Sequence, residues 1–175
     1  AFDKAAHLMD IEVRRTSLLT DGSWSMDVAA MEAAMDEDTI MAVGSAPNFP
    51  HGLIDPIEAL GEAAARKGVW LHVDACVGGY FAPFARMNGV PVPPFDFEVD
   101  AVQSMSADLH KYGYCAKGAS TVLFRSEDLY AHMPFDMAGW SGAPMKTPTL
   151  AGTRPGGAIS AAWAVMNHLG IEGYR

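Results

Sequence analysis

The segment Asp55-Pro-Ile-Glu-Ala-Leu-Gly-Glu-Ala-Ala-Ala-Arg-Lys-Gly-Val-Trp-Leu-His-Val-Asp74 decides the fold of this chain. Asp55-Pro56 predicts the start of a helix, because a capping side chain is followed by proline at the first helical position. Arg66-Lys67 suits the negative C-terminal end of that helix, and Gly68 is typical of the residue that ends it. The apolar run 69–73 then predicts a buried strand. A helix that leads directly into a strand is the repeating unit of α/β proteins.

The same alternation of helix and strand extends outward from this segment in both directions. Further strands are predicted at Ile11–Leu19, Ile40–Val43, Ala101–Met105 and Ser120–Phe124. Further helices are predicted at Phe2–Met9, at Val28–Met35 with Asp27 as its N-cap, and at Ile159–Leu169. This alternation predicts a mostly parallel sheet with helices on both faces, which is a three-layer αβα arrangement.

The length and composition indicate one folded domain, and the net charge argues against several classes of binding partner. The chain has 175 residues, half of them apolar, which is enough for one domain with a buried core. A formal net charge of -9 argues against nucleic acids and acidic membranes, since either requires a basic face. No apolar run reaches the roughly 18 residues of a membrane span. Cys76 and Cys115 have neither metal nor disulfide spacing, so we expect a cytoplasmic protein with reduced thiols.

Three segments with distinctive side chains each follow a predicted strand. Asp74 closes the strand 69–73, the loop Pro47–Gly52 follows the strand that begins at Ile40, and Lys111 follows the strand that begins at Ala101. The carboxyl ends of parallel strands lie at one edge of a sheet, and ligands bind beyond that edge. We therefore expect these three segments to lie together at a ligand site.

The octet Ser104-Met-Ser-Ala-Asp-Leu-His-Lys111 contains the most informative chemistry. Its lysine directly follows a histidine and precedes the glycine-bearing turn Tyr112-Gly-Tyr114. In a cramped, partly apolar turn an ammonium is poorly solvated, which makes the neutral amine available as a nucleophile toward a carbonyl. Taken with Asp74, this is the layout expected of a pyridoxal 5'-phosphate (PLP) site, where the acid pairs with the pyridinium nitrogen and the lysine forms a Schiff base.

Each of these residues also has an ordinary structural interpretation when it is considered alone. An aspartate after a strand is most often a turn former, most lysines are solvated surface groups, and His110 could be a satisfied polar residue in a turn. His72 and Asp74 lie on the same side of their strand and could form a metal pair. No third ligand stands at a suitable spacing, so we predict no metal site.

The joint pattern of His72-Val-Asp-Ala-Cys76, Gly78-Gly79 and 106–114 resembles the fold-type I PLP enzymes. Within them it resembles the group II pyridoxal-dependent decarboxylase family, which includes amino-acid decarboxylases and sphingosine-1-phosphate lyases. The lyase branch is closer, because the decarboxylases usually lack a counterpart of Lys117 and of Ala151–Gly157. Four stretches carry the resemblance: Ala1–His7, Pro50–Pro56, Lys111–Gly118 and Pro148–Gly157.

The resemblance implies a role for each candidate site residue. Lys111 would form the Schiff base, and Asp74 would keep the pyridine nitrogen protonated so that the ring can accept electrons. His110 would lie near the cofactor phosphate, and Cys76 would lie close to the ring. Lys117 matches a second lysine that the lyases use near the reacting centre, for proton transfer or for the substrate phosphate, although a plain surface lysine is an equal alternative.

The implied reaction is a retro-aldol cleavage of a phosphorylated sphingoid base to a long-chain aldehyde and phosphoethanolamine. The open alternatives are a PLP-dependent amino-acid decarboxylase and a catalytically silent fragment that keeps the fold. The substrate would be a small phosphorylated amino alcohol or an amino acid. The glycine-rich loop 152–157 would hold phosphate through backbone amides, in the site of a neighbouring subunit of a homodimer.

The chain also departs from the family pattern in two ways. Phe49 stands where some bacterial relatives have a catalytic tyrosine, so no hydroxyl role is carried over to it. The family's ring-stacking histidine and its glycine-rich phosphate loop would precede Ala1, and its small C-terminal domain would follow Arg175. We therefore expect residues 1–175 to be the central part of the PLP-binding large domain, without the N-terminal segment and the C-terminal small domain, and we expect them to bind PLP poorly in isolation.

Overall fold

The computed structural model describes all of residues 1–175. Its helices are α1 (Phe2–Met9), α2 (Val28–Ala34), α3 (Ile57–Lys67), α4 (Ala82–Met87), α5 (Glu127–Tyr130) and α6 (Gly156–Tyr174). Its strands are β1 (Met41–Ser45), β2 (Trp70–Asp74), β3 (Val102–Ala107), β4 (Thr121–Phe124), β5 (Phe135–Met137) and β6 (Met145–Thr147). None of the helices combines the length and the apolar content that crossing a membrane requires.

Four strands form one sheet in the order β1-β2-β3-β4. The first three are parallel, and β4 runs antiparallel to β3. Consecutive parallel strands need a crossover connection. Helix α3 forms the crossover between β1 and β2, and the crossover between β2 and β3 contains α4. β5 and β6 form a separate antiparallel pair. The predicted α/β fold with a mostly parallel sheet is confirmed, as are four of its five predicted strands to within one or two residues.

The two faces of the sheet carry different kinds of side chain. Alternate residues of a strand point to opposite faces, so Leu71 and Val73 share one face of β2 while His72 and Asp74 share the other. Helix α3 packs on the first face, where Leu71 lies under Gly61. On the second face the ring of Phe2, from α1, contacts the ring of His72 edge-on with 5.5 Å between the centroids. The second face therefore carries the polar side chains.

The main hydrophobic core lies between the sheet and α3. Its largest fully buried side chains are Phe95, Ile57, Leu60, Leu71, Val73 and Val102. Burying each of these side chains stabilises the fold by about 1.5–3 kcal/mol relative to leaving it in water. Gly44 on β1 permits this close packing, because a β-carbon there would lie 2.6 Å from the Cδ1 atom of Ile57.

The predicted strand at Ile11–Leu19 is wrong. The segment joins no sheet, and its one β-bridge pairs Leu18 with Met26. Arg14 instead fastens it to the end of α2 by donating a hydrogen bond to the Ala34 carbonyl at 3.0 Å. Nearly all of its side chains are exposed, so the segment has no buried face of the kind that a strand in a sheet packs against the core.

The helix ends agree with the predictions at Asp27 and differ at Asp55. The Asp27 side chain caps α2 by accepting a hydrogen bond from the Ala30 amide at 2.9 Å. Asp55, in contrast, does not cap α3, and the helix begins after Pro56. Its buried carboxylate accepts a hydrogen bond from the Ser45 amide at 2.7 Å, which ties the approach to α3 to the end of β1. Burial raises the pKa of the Asp55 carboxyl.

Two glycines with positive φ mark helix boundaries, because glycine adopts this backbone region more readily than other residues. Gly68 ends α3 with φ 68°, as predicted. The closing helix is longer than the predicted Ile159–Leu169, because it begins at Gly156 and reaches Tyr174. Gly170, with φ 59°, interrupts it before its final turn.

Candidate active site

The ends of β1, β2 and β3 lie side by side at one edge of the sheet. Ser45 pairs with Asp74 across β1 and β2, and Asp74 pairs with Ser106 across β2 and β3. Two backbone hydrogen bonds continue the alignment beyond the strands, from Ala46 N–H to the Asp74 carbonyl at 2.9 Å and from Ala75 N–H to the Ser106 carbonyl at 3.0 Å. The predicted meeting of three strand ends at one edge is therefore observed.

Asp74 presents a carboxylate that is anchored through only one of its oxygens. Its Oδ1 atom accepts hydrogen bonds from the Cys76 amide at 3.1 Å and from the Ser106 hydroxyl at 3.2 Å. Its Oδ2 atom has no hydrogen-bond partner in the protein, and the residue is half-buried. The carboxylate is thus oriented from one side and able to accept a proton donor on the other.

Cys76 is a neutral thiol placed between two carboxylates. Its Sγ atom donates to the Ser106 hydroxyl oxygen at 3.3 Å. Burial raises the pKa of the Cys76 thiol to about 12, and the charges of Asp74 and Asp108 act in the same direction. The Cys76 carbonyl accepts a hydrogen bond from the Asp108 amide at 3.3 Å, which joins the turn after β2 to the loop after β3.

The loop after β3 is organised around Asp108, which is only 7% exposed. Its Oδ1 atom accepts a hydrogen bond from the Ser120 hydroxyl at 2.5 Å, and its Oδ2 atom lies 3.1 Å from Lys111 Nζ. Burial by itself would raise the pKa of Asp108, but the hydrogen bonds from Ser120 and Lys111 and the charge of Lys111 outweigh it and hold that pKa below its ordinary value. Asp108 is therefore an ionised partner of the candidate lysine.

The Lys111 side chain is better solvated than we expect from the sequence of its turn. Its side chain is 37% exposed, and its ammonium is paired with Asp108. The expectation of a poorly solvated amine is wrong because the side chain leaves the turn toward solvent and toward a carboxylate. The turn itself is tight, since a β-carbon on Gly113 would lie 2.6 Å from the Leu109 carbonyl oxygen.

His110 is half-buried and its ring is held by a hydrogen bond from Nδ1. Nδ1 lies 2.8 Å from the Ala119 carbonyl oxygen, which only accepts, so Nδ1 carries a proton and donates it. Nε2 lies 3.5 Å from Asp108 Oδ2. The side chain is thereby fixed beside the ion pair of Asp108 and Lys111.

Lys117 and the loop 152–157 stand apart from this cluster. Lys117 lies in an exposed turn and makes no ion pair, while Asp74, Cys76, His110 and Lys111 meet at the sheet edge. The following Gly118, with φ 97°, approaches Ala158 in the first turn of α6. The loop 152–155 is exposed and leads into that helix. Phe49, which stands at the departure from the family pattern, is 87% exposed.

Three residues of the site carry no assigned role in the sequence analysis. They are Ser106, Asp108 and Ser120. Ser106 contacts Asp74, Asp108 contacts Lys111, and Ser120 contacts Asp108. A signal for Asp108 was present, because it precedes Lys111 by three positions and that spacing brings side chains together within a helical turn. Ser106 and Ser120 gave no such signal, since their partners lie on other segments.

The comparison with protein families decides the lineage. Residues 1–175 match the family described as the pyridoxal-dependent decarboxylase conserved domain. The chain belongs to this family. Membership confirms the predicted resemblance to the pyridoxal-dependent decarboxylase family and supports PLP as the cofactor of the site.

Individual members of the pyridoxal-dependent decarboxylase family show how the chain is related. It is 49% identical to a sphingosine-1-phosphate lyase of Oryza sativa over 99% of this chain and 32% of the relative. It is 42% identical to a probable L-tyrosine/L-aspartate decarboxylase of Methanosarcina mazei, over 100% of this chain and 42% of the relative. A solved sphingosine-1-phosphate lyase of Burkholderia pseudomallei superimposes with a TM-score of 0.94 at 44% identity, over 99% of this chain and 39% of that one. The chain thus spans about a third of the length of the plant relative.

Proposed function

We propose that this chain supplies the cofactor-binding edge of a PLP-dependent carbon–carbon lyase that cleaves a phosphorylated sphingoid base to a long-chain aldehyde and phosphoethanolamine. The observation that carries the proposal is the match to sphingosine-1-phosphate lyases over 99% of the chain, at 49% identity in sequence and at a TM-score of 0.94 in structure. We also propose that residues 1–175 form the central part of the PLP-binding large domain, and coverage of about a third of the plant relative supports a chain that corresponds to part of a longer enzyme.

The donors and acceptors at the sheet edge fit PLP. The unpartnered Oδ2 of Asp74 is the acceptor that a protonated pyridine nitrogen needs. Lys111 offers a primary amine for the cofactor aldehyde, on a side chain exposed enough to move. Cys76 would lie beside the ring and His110 near the phosphate. When bound, PLP withdraws electrons from the substrate carbon whose bond breaks.

The protein side chains would orient the substrate and handle its protons. Cleavage requires removal of a proton from the hydroxyl next to the breaking bond, and the base must lie within hydrogen-bond reach of that hydroxyl. We assign proton transfer or contact with the substrate phosphate to Lys117, which is exposed and makes no ion pair. Asp108 would be the counter-ion of Lys111 whenever that amine is protonated.

A PLP-dependent amino-acid decarboxylase is the second candidate function. The specific observation that favours it is the 42% identity to the probable L-tyrosine/L-aspartate decarboxylase of Methanosarcina mazei. Asp74, His110 and Lys111 serve this reaction equally well, because both reactions break a bond at the same substrate carbon. The two candidates differ in the group that leaves.

We further propose a homodimer with the site at the subunit interface, in the cytoplasm. Large exposed apolar side chains on α6 support a protein contact there, with Ile159 at 62%, Trp163 at 69% and Ile171 at 61% exposed. Cys76 and Cys115 are free thiols, which supports a reducing compartment.

The deciding experiment supplies the full-length protein and PLP with two kinds of substrate. We expect dihydrosphingosine 1-phosphate to yield a long-chain aldehyde and phosphoethanolamine in equal amounts, measured by mass spectrometry. Carbon dioxide released from L-tyrosine or L-aspartate, without any aldehyde from the sphingoid phosphate, would reject the lyase in favour of the decarboxylase. A Lys111→Ala variant serves as the blank for both assays.

A further inference from the structure

Ser106 touches the carboxylate that the proposed function assigns to the cofactor nitrogen, yet it has no part in the reaction described so far. It pairs with Asp74 across β2 and β3, and its hydroxyl lies 3.2 Å from Asp74 Oδ1 and 3.3 Å from Cys76 Sγ. We propose that Ser106, with the Cys76 thiol as its own donor, is a positioning residue that aims Asp74 at the pyridine nitrogen of the cofactor. This inference rests on the proposed binding of PLP.

The hydrogen bonds of the three side chains have only one consistent direction. An ionised carboxylate accepts and cannot donate, so the single proton of the Ser106 hydroxyl must go to Asp74 Oδ1. The hydroxyl oxygen then accepts from the thiol of Cys76, which stays protonated because its pKa lies near 12. The result is a relay that runs from S–H to O–H to carboxylate and ends on one oxygen of Asp74.

This relay determines where the second oxygen of Asp74 points. Two donors hold Oδ1, the Cys76 amide and the Ser106 hydroxyl, while Oδ2 has none. A carboxylate is planar, so fixing one oxygen with two donors, one from the turn after β2 and one from β3, restrains the torsion of the whole group. A charge-assisted hydrogen bond to a pyridinium nitrogen depends strongly on this alignment. Without Ser106 only the local Cys76 amide would restrain Asp74.

Electrostatics explain why the donors to Asp74 are neutral. Asp74 and Asp108 both act on Cys76, and each raises the pKa of its thiol. A cation at position 106 would compete with the pyridinium for Asp74, and an anion would be repelled by both carboxylates. A hydroxyl orients Asp74 and leaves its charge available to the cofactor.

Ser104 provides a matched control on the same strand and the same face. Its hydroxyl accepts from Trp70 Nε1 at 2.8 Å and lies 2.7 Å from His72 Nδ1, and it does not touch Asp74. Ser104→Ala therefore removes the same group from β3 without changing the contacts of Asp74. Ser106→Thr keeps the hydroxyl and is the conservative rescue.

The test measures dissociation constants of the full-length protein for two probes by absorbance titration. The probes are PLP and its 1-deaza analogue, in which a carbon replaces the pyridine nitrogen. We expect Ser106→Ala to weaken PLP binding about tenfold, which is the effect of one charge-assisted hydrogen bond, and to leave the deaza analogue unchanged. Ser104→Ala should change the affinity for both probes by the same factor, and Ser106→Thr should restore PLP binding to within about threefold.

A double-mutant cycle with Asp74→Ala completes the test. If Ser106 acts through Asp74, then Ser106→Ala weakens PLP binding no further once Asp74 has been replaced. The inference is overturned by equal losses for both probes, by full additivity in the cycle, or by no loss in Ser106→Ala. An Asp74→Ala variant that binds PLP like the wild type would instead refute the cofactor assignment together with the inference. A PLP-specific loss in a protein that shows no lyase activity would leave the inference standing and reject only the proposed reaction.

Discussion

The carboxylate of Asp108 lies 3.1 Å from the ammonium of Lys111, and the two side chains differ greatly in exposure. The aspartate side chain is 9% exposed and the lysine side chain 37%. Packing and the Ser120 hydroxyl hold the negative partner in place, whereas the positive partner can leave toward the open edge of the sheet. This asymmetry suits a lysine that alternates between a protein counter-ion and a cofactor.

Replacing the buried partner should make stability less dependent on pH. We expect Asp108→Asn to lower the free energy of unfolding at pH 7 by about 1–3 kcal/mol, because a buried charge-assisted contact is lost. The pKa of Asp108 is lowered in the folded protein. Its carboxylate therefore contributes stability above the unfolded pKa of about 4, and this contribution is lost as the pH falls through the lower folded pKa. Thermal unfolding from pH 2 to 7 measures the effect.

The difference in unfolding temperature between the wild type and Asp108→Asn should thus be largest at neutral pH and should disappear in acid. Asp100→Asn is the matched control, because Asp100 is exposed and forms no salt bridge, and it should leave the unfolding temperature unchanged. A gap that stays constant from pH 2 to 7 would show that Asp108 acts through packing and not through its charge.

The two candidate catalytic lysines should be separable by spectroscopy. Lys111→Ala should abolish the visible absorbance band of covalently attached PLP in the full-length protein, because no other amine would occupy its position. Lys117→Ala should keep the band and lower turnover by about 100-fold or more, as expected of a proton-transfer group. Lys67→Ala, at the exposed end of α3, is the control for a lost surface charge. A band that persists in Lys111→Ala would rule out this lysine.

The thiol of Cys76 should resist alkylation. With a pKa near 12, only about one molecule in 10,000 carries the thiolate at pH 8, and the thiolate is the reactive form. We expect iodoacetamide to label Cys76 far more slowly in the folded protein than in urea, measured by peptide mass spectrometry. Equal rates in the two conditions would contradict the neutral donor that the relay through Ser106 requires.

The turn that carries Lys111 should tolerate no side chain at its centre. We expect Gly113→Ala to destabilise the fold by about 1–3 kcal/mol and to weaken PLP binding, because its β-carbon would meet the Leu109 carbonyl oxygen at 2.6 Å. Chemical denaturation and absorbance titration measure the two effects. Gly139→Ala, whose β-carbon would meet nothing within 4 Å, should change neither.

Most of the architecture follows from local patterns in the sequence. The strand from Trp70 to Asp74 and the helix that precedes it were predictable because the apolar period, the cations of the last helical turn and the glycine that ends the helix all act over a few neighbouring residues. The strand predicted at Ile11–Leu19 failed for the opposite reason. Its alternation was present, but strand formation needs a partner, and no neighbouring strand is available to pair with it.

The sequence by itself determined the order of the elements, the edge at which Asp74 and Lys111 meet, and the family. The tertiary structure decided which side chains hold these two groups. A register shift between Leu71 and His72 moves the pairing of β2 with β3 by one residue. Without that shift Asp74 would pair with Met105; with it, Asp74 pairs with the Ser106 hydroxyl. Such a shift depends on the packing of distant strands, so no local pattern in the sequence could have revealed it.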